Sequence, residues 1–256
     1  MSWPFETSEP FITPSRGTEF QRRRHGLTPE EWALPPTLVA TFQKDAYRRM
    51  LERAGVDAKN SADRAVGEVD GVPCALARIG IGAPAAALLL EDSVARGVRS
   101  VHVVGSAGSL QRHLPIGSTV IVTGAEREDG TSHHYLPAGE IVSADPELMA
   151  ALEECSVTRG AGPVRGRSWT IDAPYRETVG AIRRHREAGV SIVEMEAAAI
   201  FAVARVRGVR AALIVAVSDE LFGHEWNVGF GHDVYLDSLT RAADAAMDAV
   251  HSFLPA

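Results

Sequence analysis

The first 36 residues carry no sustained apolar period. Prolines and charges are interrupted by isolated aromatics, Trp3, Phe5, Phe11, Phe20 and Trp32. This reads as an irregular arm, packed by its aromatics on the body of the chain or on another subunit. One short helix start stands inside it, with Thr28 as N-cap and Pro29 at the first helical position. From Thr37 onward the pattern changes. Thr37–Phe42 is apolar and short enough for a buried strand, and Lys44–Ala54 reads as a helix stopped by Gly55. Val72–Ile81 alternates as a strand. Pro84 opens an Ala/Leu-rich helix that ends at Gly97.

Val101–Val104 is a short buried strand that runs into the small residues Gly105-Ser106-Ala107-Gly108-Ser109, read as a turn. Ser118–Thr123 is a further strand. Helices are expected from Pro146 to about Cys155, with Asp145 ahead of it, and over Glu177–Glu187. Ser191-Ile192-Val193 leads into a helix over Met195–Arg207, closed by Gly208. Ala211–Val217 is a continuous apolar strand, and Asp233–Leu254 an amphipathic closing helix. Alternating strands and helices predict an α/β fold.

At 256 residues, 45% hydrophobic and 23% charged, the chain suits one domain with a substantial core, two small domains being the alternative. A net charge of -7 argues against a nucleic-acid surface. The run Arg22-Arg23-Arg24 reads as a solvated or salt-bridged cluster. Cys74 and Cys155 are far apart and form no disulfide or zinc motif. Met1–Glu6 has no apolar core of a signal peptide, and no uncharged apolar run reaches about 18 residues, so a cytoplasmic protein without membrane contact is expected.

Ligands of α/β sheets gather at the carboxyl ends of strands. Three segments put small or acidic residues there. In Gly105-Ser106-Ala107-Gly108, backbone N–H groups can approach an anion or a sugar, although a tight turn explains the glycines equally well. In Glu194-Met195-Glu196, two carboxylates stand where an apolar strand meets a helix. They can bind adjacent hydroxyls, or simply face the helix dipole. In Ser218-Asp219-Glu220, Asp219 ends the most apolar strand, where it can serve as a general acid or as an N-cap. His133-His134 lacks the third ligand of a metal site. His224-Glu225 has Val228 where a metalloprotease needs its second histidine. Gly80-Ile81-Gly82-Ala83-Pro84 reads as a strand-to-helix turn, without a full dinucleotide fingerprint.

In this order, Gly80–Pro84, Val104–Gly108, Ile116–Ile121, Val193–Ala199 and Val217-Ser218-Asp219 resemble the purine and uridine phosphorylase superfamily of nucleoside-cleaving enzymes, over about residues 37 to 254. Arg127–Tyr135 and Thr170–Tyr175 look like its uridine phosphorylase-like branch. The resemblance implies a single domain over residues 37–256, preceded by the arm of residues 1–36. Its central mixed sheet would be partly barrel-like and flanked by helices. It implies cleavage of a purine or pyrimidine nucleoside at C1′ by phosphate or by water, with no cofactor and no metal. Met195 and Glu196 would hold the ribose, and Asp219 would protonate the leaving base. Ser106, Gly105 and Lys44 would meet phosphate. Trp169, Ile171, Tyr175 and Glu194 would line the base side. The family also implies a homo-oligomer, a dimer or hexamer.

Departures from the family pattern fall on the anion site. Lys44 stands in for an arginine after the first strand, Val103 replaces the arginine before the glycines, and Arg64 is a loose match for an arginine donated by a neighbouring subunit. These departures keep the related nucleosidases in view, with Asp45 as the water-activating acid. A non-catalytic nucleoside-binding member is a further alternative.

Overall fold

The computed structural model describes residues 5–59, 61–223 and 225–252. Trp3, His224 and Leu254 lie outside the described residues. The arm is not irregular throughout. Residues Pro14–His25 form helix α1, because Thr13 accepts a bond from the Arg16 N–H, Pro14 fits the first turn and Gly26 closes the helix at φ 69°. Arg22 and Arg23 pair with Glu19 one turn back. Helix α2 (Pro29–Trp32) is set by a capping box between Thr28 and Glu31. Trp32 lies beneath the Arg96 guanidinium, 4.1 Å from its ring centroid, whereas Phe11 and Phe20 face solvent.

The body follows as β1 (Thr37–Thr41), α3 (Lys44–Arg53), β2 (Arg64–Val69), β3 (Val72–Arg78), α4 (Ala83–Ala95) and β4 (Ser100–Ser109). Then come β5 (Thr119–Glu128), β6 (Val142–Ser143), α5 (Pro146–Thr158), β7 (Val164–Ile171), α6 (Val179–Glu187) and β8 (Ile192–Glu194). The chain closes with α7 (Ala197–Arg207), β9 (Arg210–Glu220), β10 (Asn227–Val228) and α8 (Asp233–Asp248). The alternation expected from Thr37 onward is present, with β2, β7 and the two-residue strands β6 and β10 added. In β7 Arg165 and Arg167 fill the open positions, and in β2 the open positions are Arg64, Val66 and Glu68, so neither strand shows a clean apolar alternation.

Five strands close into a mixed barrel. β4 pairs in parallel with β9, β9 antiparallel with β5, and β5 in parallel with β7; β7 then runs parallel to β8, which returns antiparallel to β4. One edge of β4 is shared. Its first half pairs with β1, which continues the sheet to β3 and β2, and its last two residues pair with β8. The barrel therefore closes at the carboxyl end of β4.

That end includes the segment read as a glycine turn. Gly105 to Ser109 are strand residues, paired with Val215 to Glu220 of β9 through a register shift at Ala107/Gly108. Strand β9 is buried on both faces, which explains its unbroken apolar run. Helix α7 is buried from Ala197 to Ala204 and is apolar all round for the same reason. Across the outer face, Arg49 and Arg53 pair with Asp244, and Arg53 and Arg159 with Asp248, joining α3, α5 and α8. Among the described residues no helix is long and apolar enough to cross a membrane.

Candidate functional site

The carboxyl ends of β4, β8 and β9 open into a cavity of about 550 Å³. Ser106 from β4, Met195 and Glu196 after β8, and Asp219 from β9 line it together. They are remote in sequence, and barrel closure is what brings them to one place. Gly108 allows the approach: a Cβ there would lie 3.1 Å from Asp219 Oδ2 and 3.2 Å from Val193 Cγ1, and would collide with Leu221.

Asp219 is held at both oxygens. Ser218 Oγ donates to Oδ1 at 2.7 Å, and Trp226 Nε1 donates to Oδ2 at 2.7 Å. Glu196 accepts the Gly82 N–H at 2.6 Å. Gly82 adopts φ 107°, a value that favours glycine, at the start of α4. Burial and the neighbouring Glu194 charge push the Glu196 carboxyl up to about 8.

Glu194 has a different place. Its Oε1 accepts from Ser168 and Thr170, both at 2.5 Å, and its Oε2 from the N–H groups of Glu196 at 2.7 Å and Ala197 at 2.6 Å. Burial raises its pKa against these four bonds. It borders the cavity but caps the start of α7, and its bonds point into the protein rather than to a base.

The remaining expected site residues divide. Tyr175 lines the mouth and is 98% exposed. Trp169 lies wholly in the interior; its ring stacks on His185 at 4.3 Å and its Nε1 donates to Glu128. Ile171 packs in the same small cluster. Neither borders the cavity, because the alternation of β7 turns these side chains toward α6. Gly105 is packed against Val215, Phe42 and Leu213 and leaves its neighbour Ser106 to face the opening. Lys44 and Asp45, in the first turn of α3, are exposed and stand off the cavity wall, with Asp45 3.5 Å from Arg48. Arg64 pairs with Asp92 at 2.6 Å, and Val103 is buried in β4.

Three groups at or behind the cavity wall carried no signal in the sequence, Tyr235 standing behind Ser106 rather than on the wall itself. Tyr235 of α8 places its hydroxyl 2.6 Å from Ser106 Oγ. Trp226 reaches Asp219 from the loop before β10. Glu177 lines the cavity, its carboxyl pushed up to about 7 by burial and by the Asp219 charge. Amphipathic spacing accounts for Tyr235 as a core residue, and the other two sit in segments without period. The wall contains five carboxylates, Glu177, Glu194, Glu196, Asp219 and Glu225, and among the described residues no Lys, Arg or His. Nor do the described residues group three His, Cys, Asp or Glu closely enough for a metal ion. His133 is instead drawn to Arg127, whose guanidinium also binds the carbonyls of Ser132, Leu136, Pro137 and Glu140.

The fold is similar to that of purine nucleoside phosphorylase from Toxoplasma gondii, solved with immucillin-H. The TM-score is 0.75 at 19% identity, over 88% of this chain and 92% of that one. A guanosine phosphorylase of Halorubrum lacusprofundi is 35% identical over 156 residues, 59% of this chain and 63% of the relative. A uridine phosphorylase of Haemophilus influenzae is 28% identical over 166 residues, 59% of this chain and 66% of the relative. The matched region thus spans just under two thirds of these relatives. Residues 49–255 match the phosphorylase superfamily as a whole, and with four-fifths of its length inside that match the chain belongs to this superfamily.

Proposed function

We propose that the protein is a nucleoside phosphorylase, cleaving the N-glycosidic bond of a purine or pyrimidine nucleoside to free base and ribose 1-phosphate. The observation that carries this reading is the meeting of Glu196, Met195, Asp219 and Ser106 in one cavity. The transition state is a cationic ribosyl with an electron-rich departing base. A carboxyl at each end of the sugar–base axis suits it. Glu196 and Met195 hold the ribose. Asp219 gives its proton to the base as the C1′–N electron pair leaves with it. A phosphate oxygen forms the new bond at C1′, and solvent returns the proton to Asp219. Ser106 and the β4 backbone face the phosphate, and Tyr175 closes over the base. No further cofactor is required.

A specific observation favours a second reading, hydrolysis by water. Among the described residues the cavity wall offers five carboxylates and no Lys, Arg or His, a lining poorly matched to a dianion. The exposed apolar residues around the mouth, Ile81 at 73% and Val179 at 84%, suit a homo-oligomer that covers them.

The test is base release from a panel of purine and pyrimidine nucleosides, with and without phosphate, on wild type and Asp219→Ala. Phosphate-dependent release supports the phosphorylase, and phosphate-independent release the nucleosidase. Binding without release by wild type leaves a non-catalytic nucleoside-binding protein and refutes both. Asp219→Ala should lower kcat roughly 10²–10⁴-fold on bases that must be protonated to leave.

A further inference from the structure

We infer that Trp226 is a positioning residue for Asp219, setting the orientation from which the carboxyl serves the departing base; this rests on the reading of Asp219 as the proton donor. Trp226 Nε1–H lies 2.7 Å from Asp219 Oδ2. An indole nitrogen can only donate, so this contact permanently occupies one lone pair of Oδ2. The opposite oxygen meets a partner that can turn around. Ser218 Oγ is 2.7 Å from Oδ1 and 3.3 Å from the Ala107 carbonyl. Its single hydrogen points to Oδ1 when the carboxyl is ionised, and to Ala107 when Oδ1 carries a proton and donates to Oγ. Trp226 fixes the plane of the carboxyl, and Ser218 accommodates either protonation state within that plane.

The geometry separates this role from simple packing. Asp219 is 8% exposed on a rigid strand, while Trp226 is 62% exposed and comes from the loop after that strand. Most of the indole lies outside the core, so its fixed contact is the polar one. Glu225 and Glu177 also border this part of the cavity. Among the described lining residues no cation stands by this carboxyl, and a neutral N–H donor supplies direction without adding a counter-charge.

Trp226→Phe keeps most of the ring and removes the donor. On a nucleoside whose base must be protonated, kcat should fall roughly ten-fold with KM little changed, as expected for loss of one hydrogen bond to an ionisable group. On a nitrophenyl riboside, whose leaving group needs no proton, the variant should match wild type. A structural lesion would depress both substrates alike and would refute the inference, as would full activity of Trp226→Phe on both.

A second readout needs no turnover. The Trp226 indole ¹H–¹⁵N resonance, assigned by its loss in Trp226→Phe, should move markedly in Asp219→Ala. An unmoved resonance refutes the contact. If wild type cleaves no nucleoside while the resonance moves, the proposed function fails and the clamp stands.

Discussion

Glu196→Gln should make the protein progressively more stable than wild type as pH rises from about 5 to 8. Glu196 is 7% exposed and accepts the Gly82 N–H, which a glutamine oxygen can also do. Its carboxyl is raised from 4.5 to about 8 by burial and by Glu194. The sign follows from the raised value. Below pH 4.5 the group is protonated in both the folded and the unfolded chain, and the folded state loses nothing. Between 4.5 and 8 only the folded state holds the proton, so wild-type stability falls with each pH unit. Within that window each pH unit costs the wild type up to about 1.4 kcal/mol. Glutamine does not titrate and escapes this loss. In a chain of this size that corresponds to about 3–5 °C in Tm for each pH unit. Thermal unfolding of both proteins at half-unit steps from pH 4.5 to 8.5 would show it. A constant Tm difference across that range would refute the reasoning and place the proton elsewhere.

Gly108→Ala should cost roughly 1–3 kcal/mol in stability, measured by urea unfolding, because its Cβ collides with Leu221 and crowds Asp219. Activity should fall with it, while an alanine at the solvent-facing Gly180, where nothing lies within 4 Å, should be nearly silent. Glu177→Gln should remove an ionisation near pH 7 from the kcat/KM profile, since burial and Asp219 raise this carboxyl to about 7; an unchanged profile would take Glu177 out of the working site.

Much of the fold was legible in the chain because its signals are local. The Pro-in, Gly-out helices and the apolar runs of β1 and β9 depend on a few adjacent residues. Strand β7 escaped because arginines fill its outward positions, β2 because Val66 and Ala65 blur its two faces, and Gly105 to Ser109 because small residues suit a turn and a crowded barrel strand equally. Helix α1 was hidden by a polar sequence in which only the caps speak. For the site, the acids at the ends of β8 and β9 could be found from where the apolar runs stop. Trp169 and Ile171 could not be placed, since which face of β7 meets the cavity is decided by barrel closure. Trp226 and Tyr235 were beyond reach because their partners lie at the end of β9 and in β4. Glu194 shows the same limit. Its four bonds to Ser168, Thr170 and the start of α7 form only after β7 and β8 have paired.

The shared edge of β4 divides the labour of the molecule. Asp219 lies between Gly108 of β4 and Val228 of β10, and Ser106 is paired with Ala216 of β9, so both acid and hydroxyl are held by strand pairing. Tyr175, Glu177 and Trp226 hang on connections outside the ring of five strands. On the proposed function, motions that admit a nucleoside and release a base would fall to those connections, and so would changes of substrate preference during evolution. A lineage can rewrite the residues from 172 to 179 without disturbing the frame that aligns the acids, whereas the connection from 221 to 230 is tied to that frame by Trp226 and by the pairing of Val228 with Asp219. Backbone amides of β4 and β9 should accordingly be among the last to exchange with solvent, and those of the two connections among the first.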